Sequence, residues 1–501
     1  MNWSPYQNDV YNAVANTTDN IMVEAVAGSG KSTTLKEAVR RIPERDSILV
    51  LAFNRHIRDP LKADLSDLPN VEVTTLNSFG FAAVRDGYAG RVKVDAEKTA
   101  KTLRYQCLDD DEESKIIFYS SVKAIKQIIG LRKSLMLWEP YTLWDMKKLY
   151  ELVDQFDISL PTTLSEVELF RLLDAVWAKS ILDQRVIDFD DQLAFPIYHN
   201  LRVEEYDYVL VDEAQDLSPV QIELTKRAIS PNTGRAIYCG DRKQAIYQFR
   251  GADSAAIQRI EQELNCKTLP LSICYRCGSA IVDLAREIVP QIESPEGQHS
   301  GAVEYIYQDE FAPDNNSIVL CRTTAPLVEG CLKLIREGKK ATVKGRDIGQ
   351  SLTALVKKIK GPQADDPIRV FIDALEIYYF KEHSKLDSQR RTLAMQSLED
   401  KFETLLALSH HVDRVGDLSL TIEKIFSDKM QLGVMFMTVH KAKGLEAEKV
   451  FIIRPDLMPH PKATNLEAEM NIRYVAITRA ETVLTFVHPY DRPQEEEVLE
   501  G

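Results

Sequence analysis

Ala25-Val-Ala27-Gly28-Ser29-Gly30-Lys31-Ser32 has the residue types and spacing of a loop that holds phosphate. Gly28 and Gly30 allow successive backbone N–H groups to converge on one anion, and a helix starting at the end of the loop adds the positive end of its dipole. Lys31 can reach the β- and γ-phosphates, and the Ser32 hydroxyl can ligate Mg²⁺. Ala27, Ser29 and Thr33 complete the cradle. Ala25 stands where the strict pattern has its first glycine. A second segment, Val209-Leu-Val-Asp212-Glu213-Ala-Gln-Asp216, runs from apolar residues into carboxylates. Asp212 there would hold Mg²⁺, and Glu213 can polarise the water that attacks a γ-phosphate. The pair predicts binding and hydrolysis of a nucleoside triphosphate.

Both segments need strands to place them. Ile21-Met-Val23 precedes the loop and a helical stretch, Thr33 to Arg41, follows it. Acidic residues at the carboxyl end of a parallel strand can face such a loop across the mouth of the sheet. Other apolar strand runs are Ser47–Ala52 and Tyr208–Val211, then Ser317–Cys321, Val434–Met437, Val450–Ile453 and Val483–Val487. Alternating strand and helix patterns imply parallel sheets with right-handed crossovers. Residues 86–184 lack such motifs and show helical spacing, as in Ile116-Ile-Phe118…Val122…Ile125.

The motifs, in their order, resemble those of superfamily 1 helicases of the UvrD/Rep/PcrA type over almost the whole chain. Beyond the two segments above are Tyr6-Gln7, Leu51-Ala-Phe53-Asn54-Arg55, Thr75-Leu-Asn-Ser78-Phe79 and Asp188-Phe-Asp-Asp191. Further on come Gly240-Asp-Arg-Lys-Gln244-Ala-Ile-Tyr247-Gln-Phe249-Arg250, Cys274-Tyr-Arg276 and Leu320-Cys-Arg322-Thr323. The last are Thr438-Val-His440-Lys-Ala-Lys-Gly444-Leu-Glu446 and Tyr474-Val-Ala-Ile-Thr-Arg479-Ala480. The resemblance implies an α/β fold of two RecA-like parallel-sheet cores, each interrupted by a mainly α-helical insertion. The first core would take residues 1–85 and 185–265, with the insertion at 86–184. The second would take 266–349 and 430–501, with a reduced insertion at 350–429.

The same resemblance implies roles. Gln7 would read the adenine edge of ATP, and Glu446 would lie near the nucleotide sugar. Gln244 would link the γ-phosphate to the DNA channel. Arg276 and Arg479 would contact the γ-phosphate from the second core, where a planar guanidinium suits spread charge. Phe53, Tyr247 and Phe249 would stack on bases of single-stranded DNA. Asn54, Arg55, Thr75, Ser78, Arg250 and His440 would contact its phosphates or sugars. Met470-Asn471 departs from the basic pair usual before Tyr474, and Asp188–Asp191 reads as structural as readily as catalytic. The implied activity is ATP- and Mg²⁺-dependent movement along single-stranded DNA, 3′→5′, with unwinding at junctions with duplex. A DNA-dependent ATPase that strips or remodels protein–DNA complexes shares every motif. The chain would be cytoplasmic, with replication or repair proteins as partners.

Composition limits the alternatives. The 501 residues allow several domains, and 44% apolar content is ordinary for a globular chain. No apolar run approaches the ~20 residues of a membrane helix, and Met1–Pro5 does not read as a secretory leader. Seven scattered cysteines include one C-x₂-C, Cys274 and Cys277, without a second pair at zinc spacing. Net charge is −14, yet Lys226, Arg227, Arg235, Arg242, Lys243 and Arg250 stand against Asp241 alone within residues 226–250. That distribution predicts a narrow basic and aromatic channel on an acidic body.

Overall fold

The computed structural model describes residues 3–139, 146–156, 158, 160, 161, 163–246, 255–388, 391–428, 433–463 and 465–489. It divides into two compact units, Met1–Ser272 and Ile273–Gly501.

In the first unit a six-stranded sheet is assembled from β1 (Ile21–Ala25), β2 (Ile48–Ala52), β3 (Val71–Thr75), β6 (Tyr208–Val211), β7 (Arg235–Gly240) and β8 (Lys267–Leu271). A two-stranded ribbon of β4 (Lys93–Val94) and β5 (Val186–Ile187) lies apart. The main sheet has the order β3-β2-β6-β7-β1-β8, and every pairing in it is parallel. Its central strands read as unbroken apolar runs because both faces are covered. Met22, Leu49, Leu51, Val209, Val211 and Tyr238 pack on one face. Ile21, Val23, Val50, Leu210, Ile237 and Cys239 pack on the other. The sequence reading starts the second core at 266, but Lys267–Leu271 pairs with β1 along its whole length. The first unit therefore extends one strand further, to Ser272.

Helices α1 (Pro5–Asn16), α2 (Lys31–Arg40), α3 (Arg55–Asp64) and α4 (Leu76–Gly87) alternate with the first strands. Residues 86–184 hold α5 (Lys98–Thr102), α6 (Glu112–Ser134), α7 (Met146–Gln155) and α8 (Glu166–Leu182), and α9 (Asp191–Tyr198) follows. Ile125, Ile128, Ile129, Leu149, Leu173 and Val176 give these helices their own core, which reaches Phe195 of α9. A buried charge cluster joins them to the sheet unit. The Lys133 ammonium lies 2.8 Å from Asp188 and 2.7 Å from Asp191, and Lys98 lies 2.7 Å from Asp191. Asp188–Asp191 is thus engaged in holding α5 and α6 against α9, which favours the structural alternative for that segment.

The second unit also has a six-stranded parallel sheet, of order β11-β12-β10-β13-β14-β9. Its strands are β9 (Ala302–Tyr307), β10 (Ile318–Cys321), β11 (Ala341–Val343), β12 (Val434–Thr438), β13 (Ala447–Ile453) and β14 (Ala480–His488). Helices Arg346–Lys358, Ile368–Ser388, Thr392–Ser409 and Val415–Ile425 occupy the stretch between β11 and β12. Phe371, Leu375, Leu405, Leu408 and Ile422 share one core with Val319, Phe436 and Phe451 of the sheet. Among the described residues no helix is long and apolar enough to cross a membrane.

Candidate nucleotide site and nucleic-acid edge

Parallel alignment brings the carboxyl ends of β1, β7 and β6 side by side at one edge of the first sheet. From β1 the chain enters the glycine-rich loop. Gly28 and Gly30 take φ of +67° and +78°, left-handed backbone that a side chain would strain, and Gly30 leads into α2. The Ser29 hydroxyl is buried and has no hydrogen-bond partner among the described residues, as expected of a group reserved for a ligand.

Opposite the loop, β6 leads directly into Asp212 and Glu213. Glu213 sits at φ +55°, an uncommon setting for a side-chain-bearing residue that turns the chain directly after the strand. Its carboxylate lies 3.1 Å from the Lys31 ammonium. The Ser32 hydroxyl donates to Asp212 at 3.4 Å. Burial and the neighbouring Glu213 charge push the Asp212 carboxyl up to about 6, with Lys31 opposing. Burial works against the Lys31 ammonium, but Glu213, Asp212 and Asp241 outweigh it and raise its pKa. Three carboxyl groups around one lysine leave a site that gains from a further cation. Ser32 and Asp212 therefore fit Mg²⁺, with its other positions left to phosphate oxygens and water.

Gln7 lies beside this loop, 5% exposed. Its amide nitrogen donates to Thr34 at 3.2 Å, and its carbonyl oxygen accepts the Ser4 N–H at 3.1 Å in the capping box of α1. Both ends of the amide are thus engaged within the protein.

Two residues that the quoted motifs contain but to which no role was given complete the edge. Gln215, 2% exposed, donates from its amide to the Glu213 carboxylate and accepts the Asp241 backbone N–H at 3.0 Å. Asp241, at the end of β7, accepts from the Gln244 amide at 2.7 Å. Burial pushes the Asp241 carboxyl up to about 6, with Lys31 opposing. Both lie inside motifs quoted from the sequence, but no local spacing signals that they pair.

At the other end of the sheet β2 delivers Phe53, 37% exposed, then Asn54 and Arg55, both exposed. Asn54 caps α3 by accepting the Ile57 N–H at 3.0 Å. Thr75 ends β3 and caps α4, its hydroxyl 2.9 Å from that of Ser78. Phe189, also missed, is 57% exposed, and its carbonyl accepts from Asn77 of α4 at 3.0 Å. An aromatic between acids, Asp188-Phe189-Asp190, is the signal that could have found it. Tyr247, Phe249 and Arg250 lie outside the described residues.

Four of the six basic residues behind the expected channel are engaged within the protein, and Arg250 lies outside the described residues. Lys226 and Arg227 pair with Glu223, and Lys226 also pairs with Glu263. Arg242 pairs with Glu24 and Glu261. Arg235 is buried and donates to the carbonyls of Ala13, Val14 and Thr17. These cations are engaged within the fold. Glu223 lies in the same helix as Lys226 and Arg227, just ahead of the counted window, and Glu24, Glu261 and Glu263 lie on other elements, so a local charge count misses all four acids.

In the second unit three of the predicted residues meet. The Arg276 guanidinium pairs with Glu446, and its Nη1 donates to the Thr478 carbonyl at 3.4 Å. Arg479, 1% exposed, donates to the carbonyls of Val475 at 2.9 Å and Leu445 at 3.1 Å, and to the Thr478 hydroxyl at 3.2 Å. Burial, reinforced by the Arg276 charge, lowers its pKa to about 10. Arg479 therefore points into its own unit rather than standing exposed, since backbone acceptors offset its desolvation. His440 lies half-buried in the short helix Val439–Ala442 that follows β12.

A glycine-rich loop, strand-end acids and a parallel sheet define a phosphate-loop nucleotide-binding core. The model of the UvrD/REP helicase N-terminal domain matches residues 6–265, and that of the UvrD-like helicase C-terminal domain matches residues 384–488. The chain belongs to the UvrD/Rep/PcrA family of ATP-dependent DNA helicases. It is 22% identical to the ATP-dependent DNA helicase Rep of Buchnera aphidicola (subsp. Acyrthosiphon pisum), over 98% of this chain and 95% of the relative. It is 23% identical to the ATP-dependent DNA helicase PcrA of Staphylococcus epidermidis, over 94% and 82%. A probable DNA helicase II homolog of Mycoplasma capricolum is 25% identical over 55% of this chain, which spans 40% of that relative.

Proposed function

We propose that the chain hydrolyses ATP to move 3′→5′ along single-stranded DNA and to unwind duplex at junctions. The observation that carries the reading is the division of one sheet edge. Loop, Lys31, Asp212 and Glu213 gather over β1, β7 and β6, while Phe53, Thr75 and Ser78 lie at or just beyond the ends of β2 and β3, with Phe189 beside the first turn of α4. In this reading, ATP draws Lys31 from Glu213 to the β- and γ-phosphates, and Glu213 then orients the attacking water. Mg²⁺, when bound by Ser32 and Asp212, neutralises charge on the phosphate oxygens. Exposed Phe53 and Phe189 take bases by stacking, which tolerates any sequence. Arg276 and Arg479 act on the γ-phosphate during turnover, which for both requires release of the partners they hold within the second unit. Arg55, Tyr247, Phe249, Arg250 and His440 are proposed as further DNA contacts, and Gln7 and Glu446 as nucleotide contacts. The direction follows the family resemblance, and a cytoplasmic place of action alongside replication or repair proteins belongs to the same proposal.

The test is steady-state ATPase with and without single-stranded DNA. Lys31→Ala and Glu213→Gln are each expected to abolish DNA-stimulated hydrolysis, with Glu213→Gln still binding ATP. Activity within about tenfold of the parent in either variant would remove these residues from the catalytic role.

A further inference from the structure

Gln215 is buried where the ends of β6 and β7 both come within reach of its side chain. Its two amide atoms do different things. The nitrogen donates to the carboxylate of Glu213, and the oxygen accepts the backbone N–H of Asp241 at 3.0 Å. Asp241 continues the chain of bonds, accepting the Lys243 N–H at 3.0 Å and the Gln244 amide at 2.7 Å. The fit is tight, since a Cβ on Gly240 would stand 2.7 Å from the Gln215 oxygen and 3.1 Å from its backbone nitrogen. An amide is required on both counts. A carboxylate would place a second acceptor against Glu213, and an apolar side chain would leave the buried Asp241 N–H unpaired.

The geometry points to Gln215 as a positioning residue that ties the water-orienting carboxylate of Glu213 to the Asp241–Gln244 turn, and so makes hydrolysis depend on what that turn senses. This rests on the reading of Glu213 given above. When Lys31 leaves Glu213 for phosphate, the Gln215 amide stays with the carboxylate and keeps its orientation. A shift of Asp241–Gln244, which leads into Ala245-Ile246-Tyr247, moves the Gln215 oxygen and with it the hydrogen bond to Glu213. Both acceptor and donor are neutral amide functions, so the link transmits orientation without transferring a proton.

The experiment compares Gln215→Leu with the parent in ATPase assays with and without single-stranded DNA, alongside a thermal melt. The expected result is a KM for ATP within about threefold of the parent and a DNA-stimulated kcat lower by about tenfold or more. The ratio of stimulated to unstimulated kcat should collapse toward one. A residue that only supports the fold would lower both rates by one factor and leave the ratio intact, and that outcome overturns the inference. So does a rise in KM at unchanged kcat. If Gln215→Leu does not fold, Gln215→Glu keeps the acceptor for the Asp241 N–H and loses the donor to Glu213. It should lower stimulated kcat at unchanged KM, and full kcat in that variant would equally overturn the inference. A parent chain without DNA-stimulated ATPase would instead defeat the functional reading itself.

Discussion

Asp212 and Asp241 both carry carboxyl groups pushed up to about 6, first by burial. A raised carboxyl is protonated below that value: Asp212 then no longer offers an anionic ligand to a divalent cation, and Asp241 accepts from Gln244 only as a neutral acid. The nucleotide site is therefore competent above pH 6 and loses competence as pH falls through it. The value of kcat/KM for ATP, which reports the free protein, should fall on the acid side with an apparent pKa near 6. A profile flat down to pH 5 would contradict the burial argument. Arg479 makes a sharper case, because its side chain serves the fold as well as the proposed chemistry. Arg479→Ala should reduce turnover by about a thousandfold while ATP affinity stays within about tenfold, the pattern of a transition-state arginine. It should also lower the melting temperature, since the guanidinium fills a buried site with three protein acceptors. Equal, small losses of affinity and turnover would leave it a fold residue only.

Among elements, the strands that the apolar runs reveal are the central ones. β1, β2 and β6 are buried on both faces, so their sequence is continuous and distinctive. Edge strands escape because one side meets water: β8 contains Pro270 and exposed Lys267 and Thr268, and β9 exposes Glu304 and Tyr305. β3 is likewise at an edge. The site followed the same divide. The loop and the strand-end acids were legible because their chemistry dictates a local spacing. The pairing of Gln215 with Asp241 was not, because it exists only once β6 and β7 lie side by side. The attachment of α5 and α6 to α9 is also a property of assembled elements. Removing one member of a buried ion cluster leaves an uncompensated charge and costs about 3–5 kcal/mol. Asp191→Ala should lower unfolding stability by that order, since Asp191 is fully buried between Lys98 and Lys133. A loss below about 1 kcal/mol in chemical denaturation would show that the cluster is not what joins them.

For the molecule as a whole, the proposed function requires that nucleotide chemistry and strand binding be linked, and the residues proposed for the two stand along one edge of the first sheet. The aromatic side of that edge is testable by itself. Phe53→Ala and Phe189→Ala should each weaken single-strand binding by roughly 1–3 kcal/mol, the contribution of one stacked base. ATP affinity in the absence of DNA should be unchanged, and equal weakening of both ligands would point to a packing defect. Net charge of −14 is compatible with such binding because stacking supplies affinity that does not depend on the overall field. The central claim is that ATP hydrolysis drives this chain along one strand in one direction. It is tested most directly by unwinding of partial duplexes that carry a single-stranded tail on one side only. The account predicts ATP-dependent strand separation from a 3′ tail and none from a 5′ tail, abolished by Glu213→Gln. Separation from a 5′ tail alone, or none from either tail while DNA-stimulated ATPase persists, would contradict it.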